Sequence, residues 1–329
     1  MDSNTRAEQC AARPRRWRRR GAQWIATACF SLSGDLTVDA QPSPSPPAAS
    51  SGLYQPVYRE TAAPQAEAPA AQVASRVLPQ VQSALPFDLT QRPGEHPLMP
   101  ALRVAQQGLA EIDSHIRDYQ AILYKQERID GELHEQEVAF IKVRHQPFSV
   151  YMFFLAPSKG RECLYVSGPD GEKGSLIARD SGWRRRIGAI TLDPEGRIAM
   201  SGQKYPIMKI GIRNLTSELI DVASSDVNFG ECEVRTSETE LGTKNSPKRA
   251  VTLIEVTHPT PRSNFRFHKA QVFIDNELRV PIRYAAFMWP ENAGEQPLLE
   301  EAYTYTNLKV NNGFTDADFD AENPEIFKD

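Results

Sequence analysis

Residues 205–222 read Tyr205-Pro-Ile-Met-Lys-Ile-Gly-Ile-Arg-Asn-Leu-Thr-Ser-Glu-Leu-Ile-Asp-Val222. Their apolar residues recur at alternating steps of four and three, the spacing that gathers side chains along one side of a helix. These residues are Met208, Ile212, Leu215, Leu219 and Val222. Pro206 suits a first helical turn, where a missing N–H costs nothing. Because β-rich sequence lies on both sides, the helix is predicted to pack against a sheet, where it either closes a hydrophobic core or covers a cavity.

The flanking sequence predicts an antiparallel sheet. Asp130-Gly131 separates two strand-like runs, which is a strong hairpin signal. From Val280 to Met288 every second residue is apolar, so one face of that strand is buried. About ten such runs follow one another across short turns, whereas parallel strands would need long crossovers. The predicted fold class is α+β, with a curved antiparallel sheet (a half-open β-barrel) of about ten strands and two or more packed helices.

Three further elements are predicted from local patterns. A second helix is expected at 96–118, where leucine and isoleucine follow the same four-three rhythm. Short strands are expected at 183–190 and 197–200, with Asp193-Pro-Glu-Gly196 turning between them. Glu300 and Glu301 are neighbours in a predicted strand, so their carboxylates are expected on opposite faces and not as a cooperating pair.

The first ninety residues differ from the rest of the chain. Arg13–Arg20 is a dense basic run, a short apolar segment follows, and Val38-Asp39-Ala40 offers small residues for cleavage. This pattern predicts a secretory leader at 1–40 and export to the periplasm or cell envelope; the alternative is a cytoplasmic protein with a disordered basic tail. Residues 41–90, rich in Pro, Ala and Ser, are predicted to be a disordered linker. The folded domain is predicted at 91–329.

The composition argues against nucleic-acid binding and against a membrane span, and it leaves open whether the cysteines pair. With 38 basic and 42 acidic residues the net charge is −4, which does not resemble a nucleic-acid-binding protein. No stretch approaches the length of about 18 apolar residues that a membrane span requires. Cys163 and Cys232 lie in predicted strands, where export would permit a disulfide between them, or they stay unpaired.

Two segments carry a resemblance to a known family. They are Leu192–Leu215, which begins Leu-Asp-Pro-Glu-Gly-Arg and runs into the predicted helix, and Asn312–Pro324, Asn-Gly-Phe-Thr-Asp-Ala-Asp-Phe-Asp-Ala-Glu-Asn-Pro. Over about Leu98–Phe327 the chain resembles the bacterial family called domain of unknown function 1571. That family is similar in outline to lipoprotein carriers of the LolA and LolB type. The resemblance implies a half-open barrel that holds acyl chains in an apolar cavity under helices, without implying any catalytic residue.

No motif in the sequence supports catalysis, a cofactor or a metal ion. His134-Glu135 begins like a zinc-protease motif, but Val138 stands where the second histidine belongs. Asp316, Asp318 and Asp320 begin like a calcium loop, but the required Gly and Glu are absent, so a short acidic turn is predicted in which Phe314 and Phe319 dock on the core while the carboxylates stay in water. Arg184-Arg185-Arg186 after Trp183 could contact an anionic headgroup at a cavity rim or be a solvated strand edge.

The function predicted is that of a non-enzymatic envelope protein that binds a lipid or lipoprotein acyl chain. The expected lining residues, each of which could equally be an ordinary core residue, are Met152, Phe154, Met208, Ile212, Ile282, Tyr284 and Phe287. The alternative is a structural or protein-interaction module with a filled core. A cluster of polar side chains converging inside the barrel would favour an enzyme.

Overall fold

The computed structural model describes residues 86–230, 232–244, 246–292 and 294–327. The predicted leader and most of the predicted linker lie outside these residues, and the domain boundaries stay a prediction. Neither α-helix of the described part has the length and apolar content that a bilayer crossing requires. The helices and strands are α1 Met99–His115, β1 Asp118–Ile129, β2 Glu132–Leu133, β3 Glu137–Arg144, β4 Ser149–Ala156, β5 Glu162–Val166, β6 Ser175–Arg179, β7 Ile190–Leu192, α2 Ile212–Asp226, β8 Glu233–Thr243, β9 Ser246–Thr257, β10 Lys269–Asp275, β11 Pro281–Met288 and β12 Leu298–Val310.

The strands form one sheet of twelve, in the order β7-β6-β5-β4-β3-β1-β12-β11-β10-β9-β8, with β2 paired to β1. Every neighbouring pair is antiparallel, as the short turns predict. The first and last strands, β1 and β12, meet at the centre. The end strands β7 and β8 do not pair in the described part, so the sheet is open. The predicted α+β class and antiparallel sheet are confirmed.

The helices lie together over one face of the sheet. Helix α2 follows β7 and precedes β8, so it connects the two outer ends of the sheet, and it packs on α1 and on β11. Arg213 of α2 donates to Asp113 of α1 at 2.6 Å. Ile112, Ile141 and Ile212 are fully buried in the main core, which joins α1, the middle strands and the start of α2.

Helix α2 begins later than predicted, at Ile212 and not at Pro206. A single 3-10 turn at Ile207–Lys209 precedes it, and Gly211 then takes φ +117° and ψ 155°, a conformation outside the helical region. Only glycine adopts this conformation at low cost. The apolar rhythm therefore spans two elements, and its first member, Met208, lies outside the α-helix.

The strands predicted at 183–190 and 197–200 are wrong. Residues Gly182–Ile187 form a 3-10 helix, residues 197–200 form a turn, and only Ile190–Leu192 is a strand. Gly182 and Gly188 bound the 3-10 helix with φ values of +61° and +87°, which extended strands do not contain. The arginine run is therefore a short helical turn and not a strand edge.

The C-terminal segment, residues 311–327, packs on the face of β4 and β5 where Tyr151 and Leu164 lie. Phe319 is buried and Phe314 is half-buried, as predicted. The prediction that the carboxylates stay in water is wrong for Asp318, which is half-buried and accepts from Lys142 at 3.0 Å. Asp316 does stay in water, with its side chain 93% exposed, although Arg144 donates to it at 2.7 Å. The acidic turn is thus bound to β3 through Lys142 and Arg144. Cys163 and Cys232 are both free thiols.

Candidate functional site

A cavity of about 490 Å³ lies between α2 and the sheet. One wall is the face of α2 that the four-three spacing creates, with Leu215, Leu219 and Val222. The opposite wall comes from β11, where strand alternation turns Tyr284, Ala286 and Met288 to the same side. The other apolar or aromatic lining residues are Leu123, Tyr205, Ile210, Phe267, Tyr303 and Tyr305.

One end of this cavity is a cluster of charged side chains. Lys125 of β1 is bound to Glu137 at 2.8 Å and lies 3.4 Å from Glu127. Glu127 also accepts hydrogen bonds from the Tyr303 hydroxyl at 2.7 Å and from the Lys204 backbone N–H at 2.9 Å. Lys125 and Glu127 are both buried. Buried charges persist only when they are paired and hydrogen-bonded, and this pair meets that condition.

Lys204 links a second pair of carboxylates to the same cluster. Its Nζ lies 2.7 Å from Glu300 and 2.9 Å from Glu301. Burial alone would lower the pKa of Lys204, but the two carboxylates raise it above the ordinary value, so the ammonium stays charged. Tyr205 completes the group by donating its hydroxyl to Glu301 at 3.0 Å.

The tyrosines at this end are neutral hydrogen-bond donors. Burial, and after it the charges of Glu301 and Glu127, raises the pKa of Tyr303 far above its usual range. Burial, and after it Glu301, raises the pKa of Tyr205 and of Tyr284 in the same way. The Tyr284 and Tyr303 rings stack with their centroids 6.4 Å apart. The cavity therefore passes from an apolar wall along α2 to a hydrogen-bonded end, where two ammonium groups bind four carboxylates.

The start of α2 is held over the cavity by a tyrosine from the sheet. The Ile212 N–H donates to the Tyr119 hydroxyl oxygen at 3.0 Å, and Tyr305 and Gly211 both line the cavity. Both rings are almost completely buried. A Cβ on Gly211 would lie 2.8 Å from the Tyr119 oxygen, so only glycine fits at this close approach. The position of the helix over the cavity is thus set by backbone contacts and not by side-chain packing alone.

A second cavity, of about 400 Å³, lies beside the first. Met152, Phe154 and Leu176 form its inner wall, and the segment from Arg184 to Ala199 supplies its mouth. Gln203, Tyr205 and Ile210 line both cavities. Residues 203–210 are therefore the partition between the two spaces.

Comparison with known proteins assigns the chain to a family. Residues 116–326 match the family described as "Protein of unknown function (DUF1571)". The chain belongs to this family. The family match spans almost the whole described domain and includes both sequence segments on which the resemblance was based, so that prediction is confirmed.

Solved structures similar to this DUF1571 domain include three bacterial proteins. Lipoprotein LppX from Mycobacterium tuberculosis is 13% identical, with 66% of this chain and 98% of that chain covered and a TM-score of 0.35. A LolA superfamily protein from Nitrosomonas europaea is 10% identical, with 66% and 97% covered and a TM-score of 0.24. A DUF1329 family protein from Desulfovibrio piger is 11% identical, with 68% and 98% covered and a TM-score of 0.32.

The expected likeness to LolA-type proteins is thus found among solved structures. No curated protein is similar enough in sequence to count as a relative. At TM-scores this low, the function of the DUF1571 domain has to be inferred from its own side chains and cavities. Within the described residues no group of three or more His, Cys, Asp or Glu is arranged to hold a metal ion.

The seven predicted lining residues are distributed over several places. Tyr284 lines the cavity under α2, and Met152 and Phe154 line the second cavity. Met208 lines a separate depression beside Pro147. Ile212 and Ile282 are core residues, and Phe287 is half-buried beyond a bulge of β11 and β12 and lines neither of the first two cavities. A ligand-binding role for these seven stays a prediction.

The charged end was missed by reasoning from sequence, and one expectation there is wrong. Glu300 and Glu301 do cooperate, because both reach Lys204. Pairing of β11 with β12 shifts register between Ala286 and Phe287, which leaves Glu300 as the extra residue of a β-bulge. A bulge re-aims a side chain, so adjacent carboxylates can share one partner. The available signal was Lys125 and Glu127, two charges at a spacing of two on a buried strand.

Proposed function

We propose that this domain is a non-enzymatic binding protein of the cell envelope that holds an apolar ligand, a lipid or a lipoprotein acyl chain, under α2. The observation that carries the proposal is the cavity of about 490 Å³ with its apolar wall. Small-molecule sites are usually about 300–1,000 Å³ and mostly apolar, with a few placed polar groups. The alternative, a structural or interaction module, would have its core filled by its own side chains and would not contain this cavity.

The affinity would come from burial of the chain. Each buried methylene contributes about 0.8 kcal/mol, so a chain of about ten methylenes gains on the order of 8 kcal/mol before the cost of association. Leu215, Leu219 and Val222 are only half-buried without a ligand, so a bound chain would remove further apolar surface from water. The tyrosines at the charged end would meet the polar end of such a ligand.

The pairing of the charges supports binding in preference to catalysis. Glu127 receives a tyrosine hydroxyl, a backbone N–H and an ammonium group, and Lys204 is shared by two carboxylates. A general acid or base needs a proton free to transfer and a pKa near the working pH. The interactions here instead keep Lys204 charged and Tyr303 protonated.

The envelope location rests on the predicted leader at 1–40, which lies outside the described residues. Fractionation of cells that produce the full chain with a C-terminal tag tests it separately from binding. Recovery of the protein in the cytoplasm would support the basic-tail alternative for the N-terminus.

The binding test uses the purified full chain. We expect lipid to be extracted from it and identified by mass spectrometry, and a fluorescent fatty acid to bind saturably. Leu219→Trp would fill part of the cavity from α2 and should weaken fatty-acid binding about tenfold or more, because the larger side chain occupies volume that the ligand needs.

Ser224→Trp is the matched control, since Ser224 is exposed on the same helix. It adds the same side chain outside the cavity and should bind like the wild type. The proposal is wrong if the wild type neither carries lipid nor binds the fatty acid, or if Leu219→Trp binds as well as Ser224→Trp.

A further inference from the structure

The mouth of the second cavity carries the most exposed apolar side chains of the described domain. Trp183 is 75% exposed, Ile198 69%, Ile187 68% and Ile190 45%. The three isoleucines line the same cavity, so they surround one opening. Trp183 precedes Arg184 in the chain, and Arg184, which lines this cavity, lies with its guanidinium carbon 5.6 Å from the centre of the Trp183 ring. Contiguous exposed apolar surface of this kind marks an interaction site.

Positive charge surrounds the same opening. Arg184, Arg186 and Arg197 are all exposed. Arg184 has one weak partner, Asp180 at 3.5 Å, and Arg186 and Arg197 make no ion pair with any described residue. The carboxylates of the adjacent turn, Asp193 and Glu195, both bind Lys173, at 2.6 and 2.9 Å, and neither forms an ion pair with Arg186 or Arg197. The chain as a whole is acidic, so this local excess of arginine is a distinct patch.

We propose that this patch, defined as residues 182–190 and 197–198, docks the domain on an anionic lipid surface. Tryptophan prefers the interface between headgroups and acyl chains, the isoleucines can enter the apolar side of that interface, and the arginines meet the headgroup phosphates. The opening in the middle of the patch favours a bilayer over a protein partner, because apolar side chains that enter the boundary between headgroups and acyl chains bring an apolar cavity to the acyl chains.

Docking does not require that a ligand bind under α2. The patch is on the far side of the partition formed by residues 203–210, and its residues do not line the cavity under α2. The two proposals therefore fail independently: Leu219→Trp should keep vesicle binding, and variants of the patch should keep fatty-acid binding.

Charge reversal at the unpaired arginines is the first test. The full chain carrying Arg186→Glu and Arg197→Glu should bind vesicles of phosphatidylcholine with phosphatidylglycerol about tenfold or more weakly in a sedimentation assay, because each arginine near an anionic surface adds to the binding. The wild type should bind pure phosphatidylcholine poorly, and salt should weaken its binding. The basic run at 13–20 is present in every chain compared, so its own attraction to the vesicles is common to all.

The matched control reverses two charges elsewhere. Arg235→Glu and Lys244→Glu change exposed cations at β8 and its turn, at the opposite end of the strand order from β7. This variant has the same net charge as the first and should bind vesicles like the wild type. Thermal melts and fatty-acid titrations of both variants check that the fold is intact.

Trp183 reports the depth of docking. Lipids brominated near the headgroup should quench part of the wild-type tryptophan fluorescence, and this quenched part should disappear in Trp183→Phe. Equal vesicle binding by the patch variant and its control, or quenching unchanged by Trp183→Phe, would overturn the proposal and assign vesicle binding to the N-terminal basic run. Self-association abolished by the patch variant, without vesicle binding in the wild type, would overturn it in favour of a protein contact.

Discussion

The C-terminal segment and helix α2 both cover the sheet, but they use their contacts differently. In the C-terminal segment Phe319 and Ile326 are each 4% exposed, and the backbone N–H groups of residues 312–314 bond to Asp118 of β1. Helix α2 is held at its start and leaves its apolar face half-buried over a cavity. A segment whose apolar side chains pack directly on the sheet has a structural role, whereas one whose apolar face borders a cavity can receive a ligand.

Both regions contain a segment by which the family is recognised, so family membership alone does not separate their roles. In the C-terminal segment the distinctive residues bond to the sheet, as Asp316 and Asp318 do to Arg144 and Lys142. In the segment before α2 they form the partition, with Gly211 allowing the close approach to Tyr119. The contrast can be tested with substitutions in each region, by measuring the free energy of unfolding and the ligand affinity of each variant separately.

The largest loss of stability is expected from substitution of Asp118, whose carboxylate binds the start of the C-terminal segment. It accepts hydrogen bonds from the backbone N–H groups of Asn312, Gly313 and Phe314 at 2.6, 3.0 and 3.2 Å. Asp118→Ala should lower the free energy of unfolding by about 3 kcal/mol, because hydrogen bonds to a buried charge are strong and their donors lose their partner. Urea denaturation measures this, and fatty-acid affinity should not change.

Asp316→Ala is the control within the same segment. Its side chain is 93% exposed and among the described residues it bonds only Arg144, so we expect a loss below about 1 kcal/mol. Equal losses in the two variants would contradict the view that Asp118 anchors the segment. A fall in ligand affinity in Asp118→Ala would remove the distinction between the two regions.

A smaller loss of stability, accompanied by a change in binding, is expected for Gly211→Ala. Alanine at φ +117° is strained, and its Cβ would meet the Tyr119 hydroxyl, so unfolding should become easier by about 2 kcal/mol. Because the start of α2 must move, fatty-acid affinity should also fall. Isothermal titration and urea denaturation of the same sample give the two quantities.

Gly202→Ala is matched to this change. Gly202 also has positive φ, +71°, but nothing lies within 4 Å of its added Cβ. It should cost only the conformational strain, about 1 kcal/mol, with affinity unchanged. If the two alanine variants bound the fatty acid equally, the close approach at Gly211 would not control the cavity.

The sequence predicts the parts of this comparison that depend on local spacing. Alternation on β11 correctly turns Tyr284 to the helix side, and the four-three rhythm identifies the α2 face. The charged end could not be predicted, because its pairs join residues far apart in the chain, Lys125 with Glu137 and Lys204 with Glu300. The 3-10 helix at Gly182–Ile187 could not be predicted, because Gly182 and Gly188, whose positive φ angles decide its backbone, are compatible in sequence with a strand or a turn.

The smallest loss of stability is expected when the ion pair of Lys142 with Asp318 is removed. The pH dependence of that loss distinguishes the ion pair from other contacts of Lys142. Burial would raise the pKa of Asp318, but the Thr315 backbone N–H and Lys142 lower it below the ordinary 3.8. The stability from this carboxylate is therefore fully present above pH 3.8 and is lost as the pH falls through the lower folded-state pKa. Lys142→Met should cost less than about 1 kcal/mol at neutral pH. In urea denaturation this deficit should disappear in strong acid and also in an Asp318→Asn background, whereas a deficit independent of pH would mean that Lys142 acts through its contact with the Phe314 ring instead.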